Sequence, residues 1–280
     1  MGSIFTDVIL ETIQVTLLVT VMMILVDLIN IWTKGKIITL LRQKGKYRQY
    51  AVSSIIGTVP GCFGGFTNVS MYMHGLISFG ALSGSMISVS GDEAFIMLAM
   101  IPQTAIILFA VLFVIGTVGG RFIDVFVKKF KIKTSEDCVE LVIHDTEKTF
   151  KHFVREHIYH HIIKKHIWKI ALWTFGALIV IEIALKYLNL QHFTTAYPIV
   201  FLFAGALIGL IPESGPHLLF VSLFASGLIP FSILLTSSIV QDGHSMLPLL
   251  SYSFKDSVKI KIFNFVIGLT IGLILFAFGL

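Results

Sequence analysis

Two short stretches of this chain hold ionisable side chains where the surrounding sequence is apolar: Asp92 and Glu93 follow Gly91, and Asp242 and His244 flank Gly243. Carboxylates and imidazole are suitable ligands for manganese, zinc and similar divalent ions. A carboxylate that holds a metal in one state and a proton in another is a sufficient device for exchanging the two. Ionisable groups are expensive inside a membrane segment and tend to mark ion or proton paths. The plainer reading is a pair of solvated turns capping helices, with Asp92 and Asp242 near N-termini where the helix dipole favours them.

The two stretches are copies of one another. Residues 56–120 recur without a gap as residues 208–272, with Gly57, Pro60, Gly75, Gly91, Gly116 and Gly120 among the positions that are identical in both. Hydrophobicity does not enforce shared glycines and prolines, so the chain is a tandem duplication. A second break in the helical pattern also recurs. Gly57–Gly65, containing Pro60, Gly61, Cys62, Gly64 and Gly65, is matched by Gly209–His217, containing Pro212, Glu213, Gly215, Pro216 and His217. Proline removes a backbone donor and glycine loosens a helix, which leaves amide and carbonyl groups unpaired. Such backbone survives at membrane depth only where protein covers it or it lines a wet cavity. The other reading is a tight loop at the membrane surface. The expected site therefore has Asp92, Glu93, Asp242 and His244 as its ionisable centre. Cys62, Asn68, Glu213 and His217 contribute from the first pair of breaks, whereas a lone His74 fits a hydrogen bond to a neighbouring helix equally well.

These residues must be positioned by elements that live in lipid. At 280 residues, 55% hydrophobic and 13% charged, the chain holds more apolar surface than a soluble core of this length could cover. The net charge of +5 does not point to nucleic acid, because 20 of the 21 basic residues fall in three clusters between apolar segments: Lys34–Arg48, Arg121–Lys169 and Lys255–Lys261. That bias marks cytoplasmic loops. It places both termini on the non-cytoplasmic side, and Lys186 is then a snorkelling residue at an outer helix end. Apolar segments fall near 8–31, 50–61, 66–89, 93–102 and 104–127, with counterparts near 168–187, 197–213, 217–240, 244–254 and 260–279. An odd number of crossings per half makes the repeats inverted in topology. The segments 50–61 and 93–102 are about half a bilayer long, so each either crosses or re-enters. The domain reading is an N-terminal transmembrane repeat over 1–127, a cytoplasmic linker over 128–166 and a C-terminal repeat over 167–280.

The linker carries its own pattern. Glu156 with His160, and His157 with His161, have the i, i+4 spacing that can chelate a metal from one helix face. The same stretch is basic and amphipathic, which suits a helix lying on anionic lipid; a weak metal-gathering role for His157, His160 and His161 is the added expectation. Enzyme signatures are absent, with no Walker A loop, no H-E-x-x-H and no G-x-S-x-G, so pumping would have to draw on an ion gradient.

Gly91-Asp92-Glu93-Ala94-Phe95, Gly227-Leu228-Ile229-Pro230-Phe231-Ser232 and Gln241-Asp242-Gly243-His244 resemble the signatures of a bacterial family, the ten-transmembrane heavy-metal exporters, which includes manganese transporters and arsenic efflux proteins. The resemblance covers residues 50–127 and 197–279. The family pattern has Pro-x-Cys-Gly at the first break and Asp-Gly-Asp in the second half. Here Phe63 follows Cys62, Ser214 stands in place of the second Cys, and His244 stands in place of the second Asp. These departures weaken a thiolate site for soft arsenic, and the carboxylate and imidazole set suits manganese better. The expectation is an all-α polytopic membrane protein of two inverted repeats with broken or re-entrant helices. It would act as a secondary transporter exporting a divalent metal cation, manganese favoured, by proton antiport, from a multi-pass position in the plasma or inner membrane. No cofactor is expected beyond the transported Mn2+ as ligand, and the partners are the bilayer, the metal ion and protons, with a homodimer as the candidate assembly. The alternatives are an exporter of arsenical or other anions, and a membrane scaffold without transport.

Overall fold

The computed structural model of the chain describes residues 47–61, 63–73, 75–134, 197–212, 215–246, 249–250 and 253–280, with scattered positions between 6 and 17 and between 168 and 179. Cys62, Glu213, the His244 side chain and the linker histidines His157, His160 and His161 lie outside the described residues, as do most of segments 8–31 and 168–187. Among the described residues every regular element is helical. In chain order they are α1 (Arg48–Thr58), α2 (Phe63–Met73), α3 (Phe79–Ser88), α4 (Glu93–Met100), α5 (Pro102–Lys129), α6 (Pro198–Gly209), α7 (Gly215–Ala225), α8 (Phe231–Val240), a 3-10 turn (Gly243–Ser245) and α9 (Phe254–Ala277).

The duplication is visible element by element. Helices α2 and α7, α3 and α8, and α5 and α9 each begin at the same offset of 152 residues. Segment 66–89, expected as one crossing, is two helices, and so is segment 217–240. Helix α2 stops where Gly75 takes φ +63°, with Gly75 N donating to Tyr72 O and Leu76 N to Met71 O, both at 2.9 Å. Helix α7 stops in the same way at Gly227, φ +69°, with Gly227 N donating to Phe224 O and Leu228 N to Leu223 O, again at 2.9 Å. This is the paired bonding of a left-handed C-cap, for which glycine has no Cβ penalty. Apolar periodicity runs straight through the turn, which is why the pattern alone reads it as one segment.

The short helices form two kinds of unit. Asn68 Nδ2 donates to Ser53 O and to Gly64 O at 3.0 Å each, and Gly64 lies against the carbonyl of Ile56. Helix α2 therefore runs back along α1, and the pair is a hairpin with Pro60–Gly61 at its tip. Segment 50–61 is one arm of that hairpin. Helix α3 starts beside the C-terminal part of α5, where Gly80 N donates to Asp124 Oδ1 at 2.7 Å, and ends halfway along α5, where Ser88 Oγ donates to Leu112 O at 3.1 Å. After the break at Gly91, α4 reaches the other end of α5, because Ile101 closes α4 and opens α5. Segment 93–102 is thus the second half of an interrupted helix. At about 1.5 Å per residue, α3, the break and α4 together run along the greater part of α5. The second half repeats the plan: α7 packs on α6 through Phe220 against Gly205, and α8 runs from Ser232, whose N–H donates to Leu280 O at 3.3 Å, to Val240 beside Gly268.

Helices α5 and α9 are long and apolar enough to cross a membrane. They run antiparallel where they meet: Lys259 Nζ donates to Lys133 O at 2.5 Å, Phe126 and Phe263 meet edge to face with ring centroids 5.7 Å apart, and Gly119 faces Ile267. Their outward faces expose Ile106, Val114, Phe122, Ile262, Val266 and Ile274, an apolar surface suited to lipid. The interior is small and polar instead. Every residue of α3 is buried, and Gly80 and Gly84 sit on the carbonyls of Gly120 and Gly116. This is the close helix approach that small-xxx-small spacing allows where hydrophobicity cannot drive association. In the second half Gly268 and Gly272 of α9 receive Val240 and Thr236 of α8.

Candidate functional site

The two hairpin tips and the two helix breaks converge in the middle of the bundle. Gly61 N, in the first tip, donates to Gly91 O, in the first break, at 2.9 Å. Gln241 Nε2, in the second break, donates to Val89 O, in the first, at 3.3 Å. The second tip joins through α9, as Lys261 Nζ donates to Gly209 O at 3.0 Å and to Asp242 Oδ1. The Oγ of Ser245 lies on Gly65 at the start of α2, and α4 touches α7. Each half thus reaches its partner's hairpin with the segment that follows its own break.

Sequence dictates this geometry locally. Gly61, Gly91 and Gly243 have φ of +94°, +58° and +50°, the left-handed region that side chains other than glycine rarely adopt. A Cβ on Gly61 would stand 3.5 Å from the Phe95 ring and 3.9 Å from Asp92 Oδ1, so the tip rests directly on the first acidic residue. Gly64, Gly65, Gly215 and Pro216, expected within the breaks, instead occupy the first turns of α2 and α7. There proline has no donor to lose, and the two glycines admit Ile56 and Ser245. Pro60 and Pro212 do lie in the tips.

The ionisable residues are inside the protein. Asp92 precedes α4 and Glu93 opens it, at 5% and 2% exposure, and Asp242 is 0% exposed. Asp242 forms an ion pair with Lys261 through Oδ1, while its Oδ2 has no hydrogen-bond partner among the described residues. His217 is buried on α7, with Nδ1 3.2 Å from Ser237 Oγ, and its Nε2 is likewise without a partner among them. Several neutral oxygens share the condition: Gln241 Oε1, Asn68 Oδ1, Ser90 Oγ and Ser245 Oγ are buried without a hydrogen-bond partner among the described residues. Unpaired acceptors in a buried, irregular region are costly, at about 1–3 kcal/mol each, and they are expected where a ligand will supply what is missing.

The family comparison decides what these loops belong to. A family described as "Putative, 10TM heavy-metal exporter" matches residues 3–187 and 151–279. The chain belongs to this heavy-metal exporter family. No curated protein and no solved structure matches it.

In this exporter-family chain the expected residues divide. Asp92, Glu93, Asp242, His217 and Asn68 are buried at or beside the breaks, although the Asn68 amide nitrogen is committed to tying α2 to α1. Among the described residues no group of three or more His, Cys, Asp or Glu gathers as a ready metal cage. The expected cluster is therefore not closed by these types alone, and neutral oxygens sit among them. Lys261 is a correction: the basic-cluster pattern put it in a loop, but it is on α9, two turns in, with its side chain 13% exposed. A signal was present, because Ser253 with Asp256 has capping-box spacing, and Ser253 Oγ accepts from Asp256 N at 3.3 Å. Asn264 was also missed; it is 0% exposed on the same helix.

Proposed function

We propose that this chain is a secondary active transporter that exports a divalent heavy-metal cation, manganese favoured, in exchange for protons. The observation that carries the reading is Asp242: a carboxylate in a helix break, enclosed by protein, with one oxygen held by Lys261 and the other without a partner among the described residues. Such a group can accept a cation or a proton, and exchange follows if it cannot hold both. Asp92 and Glu93 supply further charge from the first break. Among the described residues the surrounding donors are oxygens with one imidazole nitrogen, that of His217, which suits manganese better than a soft ion. An exported anion fits less well, because the part-buried ammonium that reaches the breaks among the described residues, Lys261, is already neutralised by Asp242.

Alternating access is assigned to the two halves, oriented oppositely in the bilayer and rocking about the four converging loops. The antiparallel run of α5 and α9 supports that orientation. The end of the bundle bearing Lys128, Lys129, Lys131, Lys255 and Lys259 is assigned to the cytoplasm by its charge, which leaves Leu280 on the opposite side.

Reconstitution in proteoliposomes with an internal pH dye tests the reading. An inward Mn2+ gradient is expected to drive protons outward, and Asp242→Asn and Asp92→Asn to abolish that coupling. Mn2+ flux in the wild type with no proton movement removes the antiport, and arsenite or phosphate flux in place of cation flux removes the substrate class.

A further inference from the structure

Helix α9 contributes one face to the region of the breaks. Lys261 reaches Asp242, Gly268 receives Val240, and Gly272 receives Thr236. Residues at these spacings share a helix stripe, and Asn264 belongs to it. It lies between the Lys261 level and the Gly268 level, about 4.5 Å of helix rise from Lys261. Asn264 is fully buried, and neither its amide nitrogen nor its amide oxygen has a hydrogen-bond partner among the described residues. A buried asparagine with both ends unused is a standing cost to the fold. Its repeat counterpart, Leu112, is apolar, so the fold itself does not require a polar group there. Nearby, Gln241 Oε1 and Asp242 Oδ2 are unused in the same way.

We infer that α9 carries a displaceable cation and its replacement ligand: the Lys261 ammonium occupies Asp242 when no metal is bound, and a divalent cation takes that place with Asn264 Oδ1 as an added oxygen ligand. This rests on the cation-transport reading above. It assigns α9 residues that the acidic breaks alone do not include. An ammonium and a metal cation compete for one carboxylate, so the carboxylate is never left uncompensated inside the protein. That matters because an unpaired buried charge is far more costly than either pair. Asn264, three residues further along the stripe, offers a neutral oxygen that an ammonium held on Asp242 and Gly209 does not use but a hard cation of higher coordination number does.

The purified full-length protein in detergent, titrated with MnCl2 by calorimetry and melted without metal, tests this. Asn264→Leu is expected to melt no lower than wild type, since it replaces unpaired polar atoms with an apolar side chain of similar size. It is also expected to bind Mn2+ about tenfold more weakly. Asn264→Asp, which returns an oxygen donor, is expected to bind at least as tightly as wild type; a purely structural asparagine predicts no such split. Lys261→Met, which removes the competitor, is expected to bind Mn2+ more tightly. If it does not yield folded protein, the two Asn264 variants decide. Wild-type affinity in Asn264→Leu overturns this inference while leaving cation transport standing. A wild-type protein that binds none of Mn2+, Zn2+ or Cd2+ overturns both.

Discussion

Gln241 donates its Nε2 to the carbonyl oxygen of Val89 at 3.3 Å, and the two residues stand 152 positions apart, the offset of the duplication. A residue that touches its own counterpart lies at the axis relating two copies. The α4 contact with α7 and the Gly65 contact with Ser245 are exchanged about that point. Replacing Gln241 with Leu removes the bond and one unpaired oxygen together, so stability is expected to change by no more than about 1 kcal/mol. If the halves move about this contact, the Gln241→Leu variant shows slower Mn2+ flux in proteoliposomes at unchanged Mn2+ affinity. Unchanged flux would remove the contact from the motion.

The Asp242–Lys261 pair gives a sharper separation of stability from function. Asp242→Asn leaves a buried ammonium without its anion, and about 3–5 kcal/mol of stability is expected to be lost. Combining it with Lys261→Met is expected to recover most of that loss by thermal melting, with no recovery of metal-driven proton movement. A double variant as unstable as the single one would mean the pair does not carry the energetics assigned to it.

Asp124 lies away from the breaks and has a structural task. Its Oδ2 accepts from Tyr50 OH at 2.7 Å and Ser78 Oγ at 2.5 Å, and its Oδ1 accepts from Gly80 N at 2.7 Å. It thereby caps α3 from α5 and pins α1 to the same point. Asp124→Asn is expected to destabilise by about 2–3 kcal/mol, the range for lost bonds to a charged acceptor, and to leave the relative preference among Mn2+, Zn2+ and Cd2+ unchanged. A changed preference would place Asp124 in the transport path.

Glycine packing predicts a graded pair. A Cβ on Gly84 would collide with the backbone carbonyl of Gly116, which cannot rotate away, whereas one on Gly119 would meet flexible side-chain ends, Ile87 Cδ1 at 3.3 Å and Ile267 Cδ1 at 3.8 Å. Gly84→Ala is expected to lose about 3 kcal/mol through overpacking, or to fail to accumulate. Gly119→Ala is expected to fall within about 1 kcal/mol of wild type on the same scale. Equal melting temperatures would mean that α3 and α5 are not in backbone contact.

The proposed inverted arrangement of the halves makes a labelling prediction. Gly75 and Gly227 end equivalent helices in exposed turns. Single cysteines there, in a background lacking Cys62 and Cys138, are expected to react with an impermeant maleimide from opposite faces of the membrane. Labelling of both from one face would end the inverted arrangement and the rocking motion with it.

Much of this was legible without coordinates, for identifiable reasons. Shared glycines and prolines at a fixed offset expose the duplication, because positive φ and missing donors constrain residue type directly, and the same residues mark Pro60, Gly91, Gly243 and Pro212 as breaks. Composition alone requires lipid. Three things had to wait for tertiary structure. The turns at Gly75 and Gly227 split segments whose apolar pattern is continuous, since a single left-handed glycine ends a helix without changing hydropathy. Lys261 looked like one more loop cation, because a side chain's partner depends on which helix packs beside it. Asn264 shows in the sequence only as a polar residue where the first copy has Leu112; its importance lies in having no hydrogen-bond partner among the described residues while wholly enclosed, a property of packed neighbours that no residue's type or spacing encodes.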